Sequence, residues 1–494
     1  MGGYQDWRIA DFSEGYIDSV DDNLLPESAA RDCRNFISKE AGRLRKRKGQ
    51  VRLDSSVFPG KIQGLYVFYL EPNIKQFIVA SGGKVYRWEP INKQFIEIYT
   101  GFVTTSPVRF ETCANYMVGF DGKTQAFKYN GSEATQLLNA PRLAQFPVLY
   151  KEKLFVNPSH KPSQVWWSES FYPEEWPEVN YWSFAEGDGD RITNLMEYQN
   201  ALLVFKNRSI HVLRGTNLDD FRSETLEHSV GCVGPFAAKE FGGYVYFVSQ
   251  KGLYQFNGLR AVNISEGKIP KLWQRVNSSR LYGAAVTAWN NQIWFSLPVD
   301  GSTTNNLIIV CDPGKGTFWP MDNIEASCFQ EFIVAGGRPV LYSGHAIEGQ
   351  VIQQDVGYLD FGLPISAYWV GRSFDQNDAY RLKKAKKAFV EDSPDTEEEV
   401  TLLLSLDYNN YVHMEPAAND GLAREYRFPM EMRGRWRYIS PKFAHEAEGP
   451  CEVRGLMIPY KIKSKPRVKA PISKVPVSKQ EEMYFLFPAF AVNE

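Results

Sequence analysis

Several marks of familiar protein classes are missing from this sequence of 494 residues. Its 6 cysteines, Cys33, Cys113, Cys232, Cys311, Cys328 and Cys451, lie far apart with no CxxC spacing. That excludes a zinc ribbon and a disulfide-dense scaffold, and reads as free thiols in a reducing compartment. The 6 histidines, His160, His211, His228, His345, His413 and His445, are equally dispersed, and no two have the spacing of a zinc motif. An excess of one charge is also missing. A formal net charge of -2 argues against a generally basic nucleic-acid coat, although it leaves room for local patches. No apolar run approaches the roughly 20 residues of a membrane helix. The opening MGGYQDW has no basic and apolar leader, so the expectation is a protein without a membrane-spanning segment, made and used without export. Gly314-Lys315 lacks the first glycine of a phosphate loop, and Gly316 stands where that loop needs Ser or Thr. No cofactor is expected.

Aromatic residues are abundant. With 26 Tyr, 32 Phe and 12 Trp, they favour strands over helices. Short β-branched and aromatic runs recur in pairs around glycine, asparagine or aspartate, the residues that tight hairpins require. Leu202–Phe205 and Ile210–Arg214 are one such pair, and Tyr244–Val248 with Leu253–Phe256 is the next. Others are Gln76–Ala80 with Val85–Trp88, Tyr116–Phe120 with Ala126–Tyr129, Lys153–Val156 with Gln164–Trp167, Gln292–Leu297 with Leu307–Cys311, and Pro339–Tyr342 with Gly349–Gln353. The unit restarts roughly every 40 residues, the span of a four-stranded propeller blade. The fold class expected is therefore all-β: a β-propeller of six or seven blades over 61–360, followed by a second small β-sandwich-like domain over 361–463. Residues 1–60, turn-rich and broken by Pro26, read as an extended N-terminal arm with one short helix over Ser28–Ile37, capped by Ser28. Residues 464–494, rich in Lys and Pro and ending in the apolar MYFLFPAFAV, read as a C-terminal arm that docks on something. A long sandwich with Greek-key crossings is the rival fold.

Candidate chemistry is sparse. Glu186-Gly187-Asp188-Gly189-Asp190 has the oxygen ligands for calcium, but Asp and Gly are equally the residues of a tight turn, which is the preferred reading. Trp166, Trp167, Trp176 and Trp182, with Phe171, Tyr172 and Tyr181, form an aromatic cluster suited to stacking on sugars. With the acids Glu169, Glu174 and Glu175 it gives the alternative reading of a carbohydrate-binding or glycan-cleaving propeller, a host-recognition module among the options. The plainer account puts Trp166 and Trp167 on opposite sides of one strand, within a loop stiffened by Pro173 and Pro177. Two basic runs stand out. Arg43, Arg45, Lys46, Arg47 and Lys48 make one, and Arg381, Lys383, Lys384, Lys386 and Lys387 the other, followed by acid from Glu391 to Glu397-Glu398-Glu399. Both runs are candidate contacts with a neighbouring subunit or with a phosphate backbone.

Four segments taken in order carry a family resemblance: the stretch ending GRLRKRKG, EGDGDRITNLMEYQNALLVFKNRSIHVLRGT, GCVGPFAAKEFGGYVYFVSQKGLYQFNG, and the pair RGRWRYISPKF with CEVRGLMIPY. Their order resembles the tail-nozzle (tail-hub, packaged-DNA stabilisation) proteins of short-tailed bacteriophages. Where that family usually reads Arg-Pro-Gly at the end of the first segment, this chain has Arg47-Lys48-Gly49. The resemblance implies a virion structural protein rather than an enzyme, assembled in the host cytoplasm into the phage tail. It implies a ring of itself, typically six copies, beneath the head-to-tail adaptor and in contact with other tail proteins. Double-stranded DNA would pass through without sequence specificity, retained before infection and released on ejection.

Overall fold

The computed structural model describes residues 3–38, 42–71, 74–333, 337–393, 400–414, 425–430 and 434–463. The expected C-terminal arm, 464–494, and the acids Glu397-Glu398-Glu399 lie outside the described residues.

From Ile62 to Asp322 the chain forms six four-stranded antiparallel sheets in succession, each with its strands in chain order. Their first strands are Ile62–Glu71, Arg109–Cys113, Ala144–Tyr150, Ile192–Tyr198, Ala238–Phe241 and Ala285–Trp289. A further sheet begins with Ala326–Ile333, Pro339–His345 and Val351–Gln354. Every hairpin expected from the sequence lies in one of these sheets, on the second and third strands. Several turns between first and second strands hold two left-handed residues: Ala114-Asn115, Lys151-Glu152, Gln199-Asn200 and Asn290-Asn291. A two-residue turn of this hand matches the right-handed twist of the strands it joins, and asparagine adopts it at least cost.

The second strand of each sheet is apolar on both faces, which forces a sheet on either side of it. Ala201–Lys206 and Gln292–Leu297 are buried throughout, whereas the outer strand Arg222–Glu227 is charged and exposed. Core side chains accordingly fill the gaps between successive sheets. Phe68, Ile78, Phe110 and Phe127 join the first sheet to the second, Val118 and Phe120 meet Leu154 and Val156 from the third, and Phe155 and Trp167 meet Leu202 and Val204 from the fourth. Ile62, Phe77 and Val79 pack on Cys328 and Tyr342, so the last sheet of the series meets the first. The arrangement is all-β and propeller-like.

The described residues of 1–60 do not form the extended arm expected of them. Gln50–Arg52 pairs antiparallel with Val351–Gln354 and supplies the fourth strand of the last sheet. Gln5–Ile9 and Leu44–Lys46 pair with Glu452–Lys463, and Ala29–Arg34 pairs with Ala367–Gly371. The expected helix over Ser28–Ile37 is therefore replaced by a strand. Together with 367–463 these segments build two further sheets, of seven and six strands. Between them sit Phe12, Trp369 and Phe443, with ring centroids 5.0 Å (Phe12 to Trp369) and 5.7 Å (Trp369 to Phe443) apart. The second unit is thus made from both ends of the described chain, and its boundary does not fall at 361 alone.

Candidate functional site along the ring axis

The first strands of the sheets meet around an axis, where the alternation of a strand places Arg109 and Glu111 on one face. Arg109 reaches across. Its Nη1 donates to Asn194 Oδ1 of the fourth sheet at 3.1 Å and to the carbonyl of Pro235, and its guanidinium carbon lies 5.7 Å from the centroid of Phe236. Burial lowers its pKa, and burial likewise raises that of Glu111, whose Oε1 accepts the Thr112 N–H at 2.9 Å. Pro235 and Phe236 line the cavities on both sides of this crossing, so the axis is partitioned rather than open. On one side is a cavity of about 270 Å³ with mixed charge, lined by Arg109, Glu111, Lys239 and Glu331 among others.

On the other side the axis widens into a mouth with two lobes, of about 340 and 240 Å³, which meet at Tyr282. Tyr282 keeps 37% of its surface open there, and the Arg191 guanidinium lies 5.6 Å from its ring centroid. Amide side chains fix the rim. Gln63 Nε2 donates to the carbonyls of Val103 (2.7 Å) and Ser106 (2.5 Å), while its Oε1 accepts the Gly83 N–H at 2.7 Å. Asn305 Nδ2 ties the carbonyls of Gly283 (2.8 Å) and Ala326 (2.7 Å). Lys61, Lys123, Arg191 and Arg280 stand on this rim with one acid, Asp121. The Asp121 carboxylate is already engaged by the backbone N–H groups of Val103, Lys123 and Thr124 at 2.9, 2.9 and 2.7 Å.

The residues singled out from the sequence lie elsewhere. In the first basic run, Arg47 is 2% exposed: its Nε donates to Asn35 Oδ1 (2.8 Å) and its Nη1 to Asp360 Oδ1 (2.9 Å) and the carbonyl of Lys48 (3.0 Å). Nη2 adds the carbonyl of Asp322 at 3.1 Å and the second Asp360 oxygen. Lys46 is buried, donating to the carbonyl of Ala447 at 2.6 Å beside His445, and Arg43 and Arg45 pair with Glu452. In the second run Lys383 is buried with its Nζ 3.0 Å from the carbonyl of Arg437, Arg381 pairs with Asp378, and Lys384 is half-buried. Lys48, Lys386, Lys387 and Arg381 lie at the surface, and the side chains of Arg43 and Arg45 are partly exposed beside Glu452. For the buried members the expected contact with DNA or a neighbour is replaced by an internal one, because a cation out of water needs a fixed acceptor set.

The tryptophans follow the plainer account. Trp167 is in the core against Phe155 and Phe221, at centroid distances of 5.4 and 5.0 Å, while Trp166 faces the other way and stacks on Tyr181 at 5.6 Å. Trp176 donates to the carbonyl of Pro173 at 2.7 Å and Trp182 to Ser223 Oγ at 3.0 Å. Phe171 and Tyr172 remain 56% and 60% exposed beside them. Asp188 bridges the buried Lys206 Nζ with both oxygens at 2.9 Å, and Asp190 accepts from Asn207 Nδ2 (2.8 Å) and the Arg208 N–H (2.9 Å), so this loop is a turn closed on its own cations. Among the described residues no group of three or more His, Cys, Asp or Glu could hold a metal ion. All six cysteines are free and buried, and burial pushes Cys113 and Cys328 up to about 11. The axial residues escaped the sequence reading because it followed apolar hairpins; the signal for them is the alternating charge of Arg109 and Glu111 within an otherwise apolar strand.

No protein-family model matches this chain, and no curated protein matches it. Among solved structures it is similar to a computationally designed protein, Ika8 (11% identity, TM-score 0.38, covering 61% of this chain and 98% of that one). It is also similar to the AfRom2 CNH domain (10%, 0.41, 62% and 99%) and to U3-55K (9%, 0.41, 62% and 98%). Likenesses of this size carry no argument about function.

Proposed function

We propose that this chain is a structural subunit of the tail nozzle of a short-tailed bacteriophage. In this reading 50–364 is a seven-bladed propeller whose last blade is closed by Gln50–Arg52, and six copies make a ring below the head-to-tail adaptor. The ring continues the DNA channel, retains the packaged genome and lets it exit on infection. The ordered sequence segments described above carry the reading. It is supported by the observation that the N-terminal stretch contributes strands to both units and so ties them together, as a wall requires. Because Arg109 crosses the propeller axis, the DNA path lies between copies and not through any one of them. Ring closure then needs a heterologous contact, in which one surface fits a different surface of the next copy. The deciding measurement is the mass of the purified protein, alone and with its candidate adaptor ring, followed by negative-stain imaging. A ring with an axial hole, alone or on the adaptor, is expected. A stable monomer that ignores the adaptor refutes the reading.

The exposed rings of Phe171 and Tyr172 beside stacked Trp166 and Tyr181 favour a second reading, a carbohydrate-binding propeller. Saturable glycan binding lost on Trp166→Ala, by a monomer, would replace the first reading with the second.

A further inference from the structure

We propose that the mouth of the ring axis binds a compact ligand carrying two or more phosphate groups. This site is independent of the nozzle reading. Each of its cations arrives from a different sheet but from the same face. Lys61 immediately precedes the first strand of the first sheet, and Arg191 that of the fourth. Arg280 lies in the connection leading to the sixth sheet, and Lys123 between the second and third strands of the second. Four cations thus converge on one recess in a chain whose formal net charge is -2. The one acid that lines the two lobes, Asp121, is occupied by three backbone N–H groups. None of the four forms an ion pair with a described residue, whereas the acids of the loop leading into Arg191 are taken up by other cations, Asp188 by Lys206 and Asp190 by Arg208.

Like charges held around a recess with low-dielectric walls focus a positive potential there. Asn305 ties the carbonyl of Gly283, three residues from Arg280, and Gln63, two residues from Lys61, ties that of Val103, so part of the rim is ordered before binding. Two arginines offer planar forks that match phosphate oxygens, and two lysines add point charges. The larger lobe, about 340 Å³, lies at the low end of the size range of small-molecule sites, and the adjoining lobe adds about 240 Å³. A single carboxylate or orthophosphate would satisfy only part of such a set, whereas a short phosphate chain engages cations on opposite sides at once.

The test is calorimetric titration of the full chain with inorganic tripolyphosphate at low salt, with orthophosphate and citrate as comparators at matched ionic strength. Tripolyphosphate is expected to bind at least tenfold more tightly than either. Arg191→Gln and Arg280→Gln should each weaken it at least tenfold, with unchanged melting temperature because both side chains are exposed. Arg260→Gln, in a turn on the opposite face, should leave it within twofold. Should either arginine variant melt early, Lys61→Gln replaces it with the same expectation. Absence of binding, equal binding of citrate, or binding that the arginine variants leave within twofold overturns the proposal.

Discussion

Replacing Arg47 with methionine should destabilise the protein more than any surface change, because this guanidinium joins the two units. Its partners come from four places: Asn35 next to strands of the second unit, Asp322 at the end of the sixth sheet, Lys48 in the link, and Asp360 in the last sheet. Asp360 is 8% exposed and lies 313 residues away in sequence. Removing the arginine strands that carboxylate without its cation and leaves carbonyl oxygens unpaired. Breaking one side of a buried pair in this way costs about 3–5 kcal/mol, a fifth or more of the roughly 5–15 kcal/mol that holds a typical native state together. Arg47→Met with Asp360→Leu removes both charges and should recover most of the loss, since a buried pair is often no better than its apolar replacement. Urea unfolding followed by tryptophan fluorescence measures the first transition of each variant. In a protein of two units the transition is read as a midpoint shift rather than forced to two states. A single-variant cost under about 1 kcal/mol, or a double variant that is merely additive, would show that the pair does not hold the units together.

Trp167→Ala should cost about 3–5 kcal/mol by opening a cavity between the third and fourth sheets, whereas Trp166→Ala, on the other side of the same strand, should cost under about 1.5 kcal/mol; thermal melts of the pair decide it. Deleting residues 3–46 removes strands from both sheets of the second unit and should give insoluble protein, where a dispensable arm would leave a soluble one. Acid should destabilise the fold early. Burial, with the Lys206 charge at His211 and the Lys46 charge at His445, depresses both imidazoles to about 4. The unfolded chain, with histidines near 6.5, then binds more protons than the folded one between about pH 6.5 and 4. Stability therefore falls as pH falls through that window, by on the order of 2–3 kcal/mol per histidine, and levels off below it. His211→Gln with His445→Gln should flatten this slope in urea midpoints taken from pH 7 to 4.5.

What the sequence made legible was the part governed by local pattern. A strand buried on both faces is a short apolar run, and its turns need Gly or Asn, so Leu202–Phe205 and Tyr244–Val248 could be read directly. The opposite facings of Trp166 and Trp167 follow from strand alternation alone. The N-terminal strands were not legible, because their partners lie at the far end of the chain. Ala29–Arg34 carries a register shift that breaks its alternation, and its Ala-Ala-Arg start suits a helix until Ala367–Gly371 arrives to pair with it. The basic run misled for a related reason. Charge density reads as surface, and nothing near Lys46-Arg47 in sequence shows the carbonyls and the carboxylate that accept their protons in the fold.

The axis of the propeller-like ring bears on how a conduit could be built at all. The first strands come close enough for one arginine of the second sheet to reach Asn194 and Pro235 on the far side, with its guanidinium over the ring of Phe236. A passage of that kind excludes a duplex and leaves recesses sized for small ligands. A nozzle made from this chain must therefore enclose its channel by arranging copies around a common axis, with outer surfaces as walls. The outer strands suit that role: Arg222–Glu227 is charged and exposed, which discourages edge-to-edge strand addition while leaving polar contacts available to a neighbour. Charge is nearly balanced over the whole chain, and much of the densest basic run is neutralised internally. In the proposed nozzle, a wall of this composition would hold DNA by confinement more than by attraction, and a duplex that is weakly held can slide.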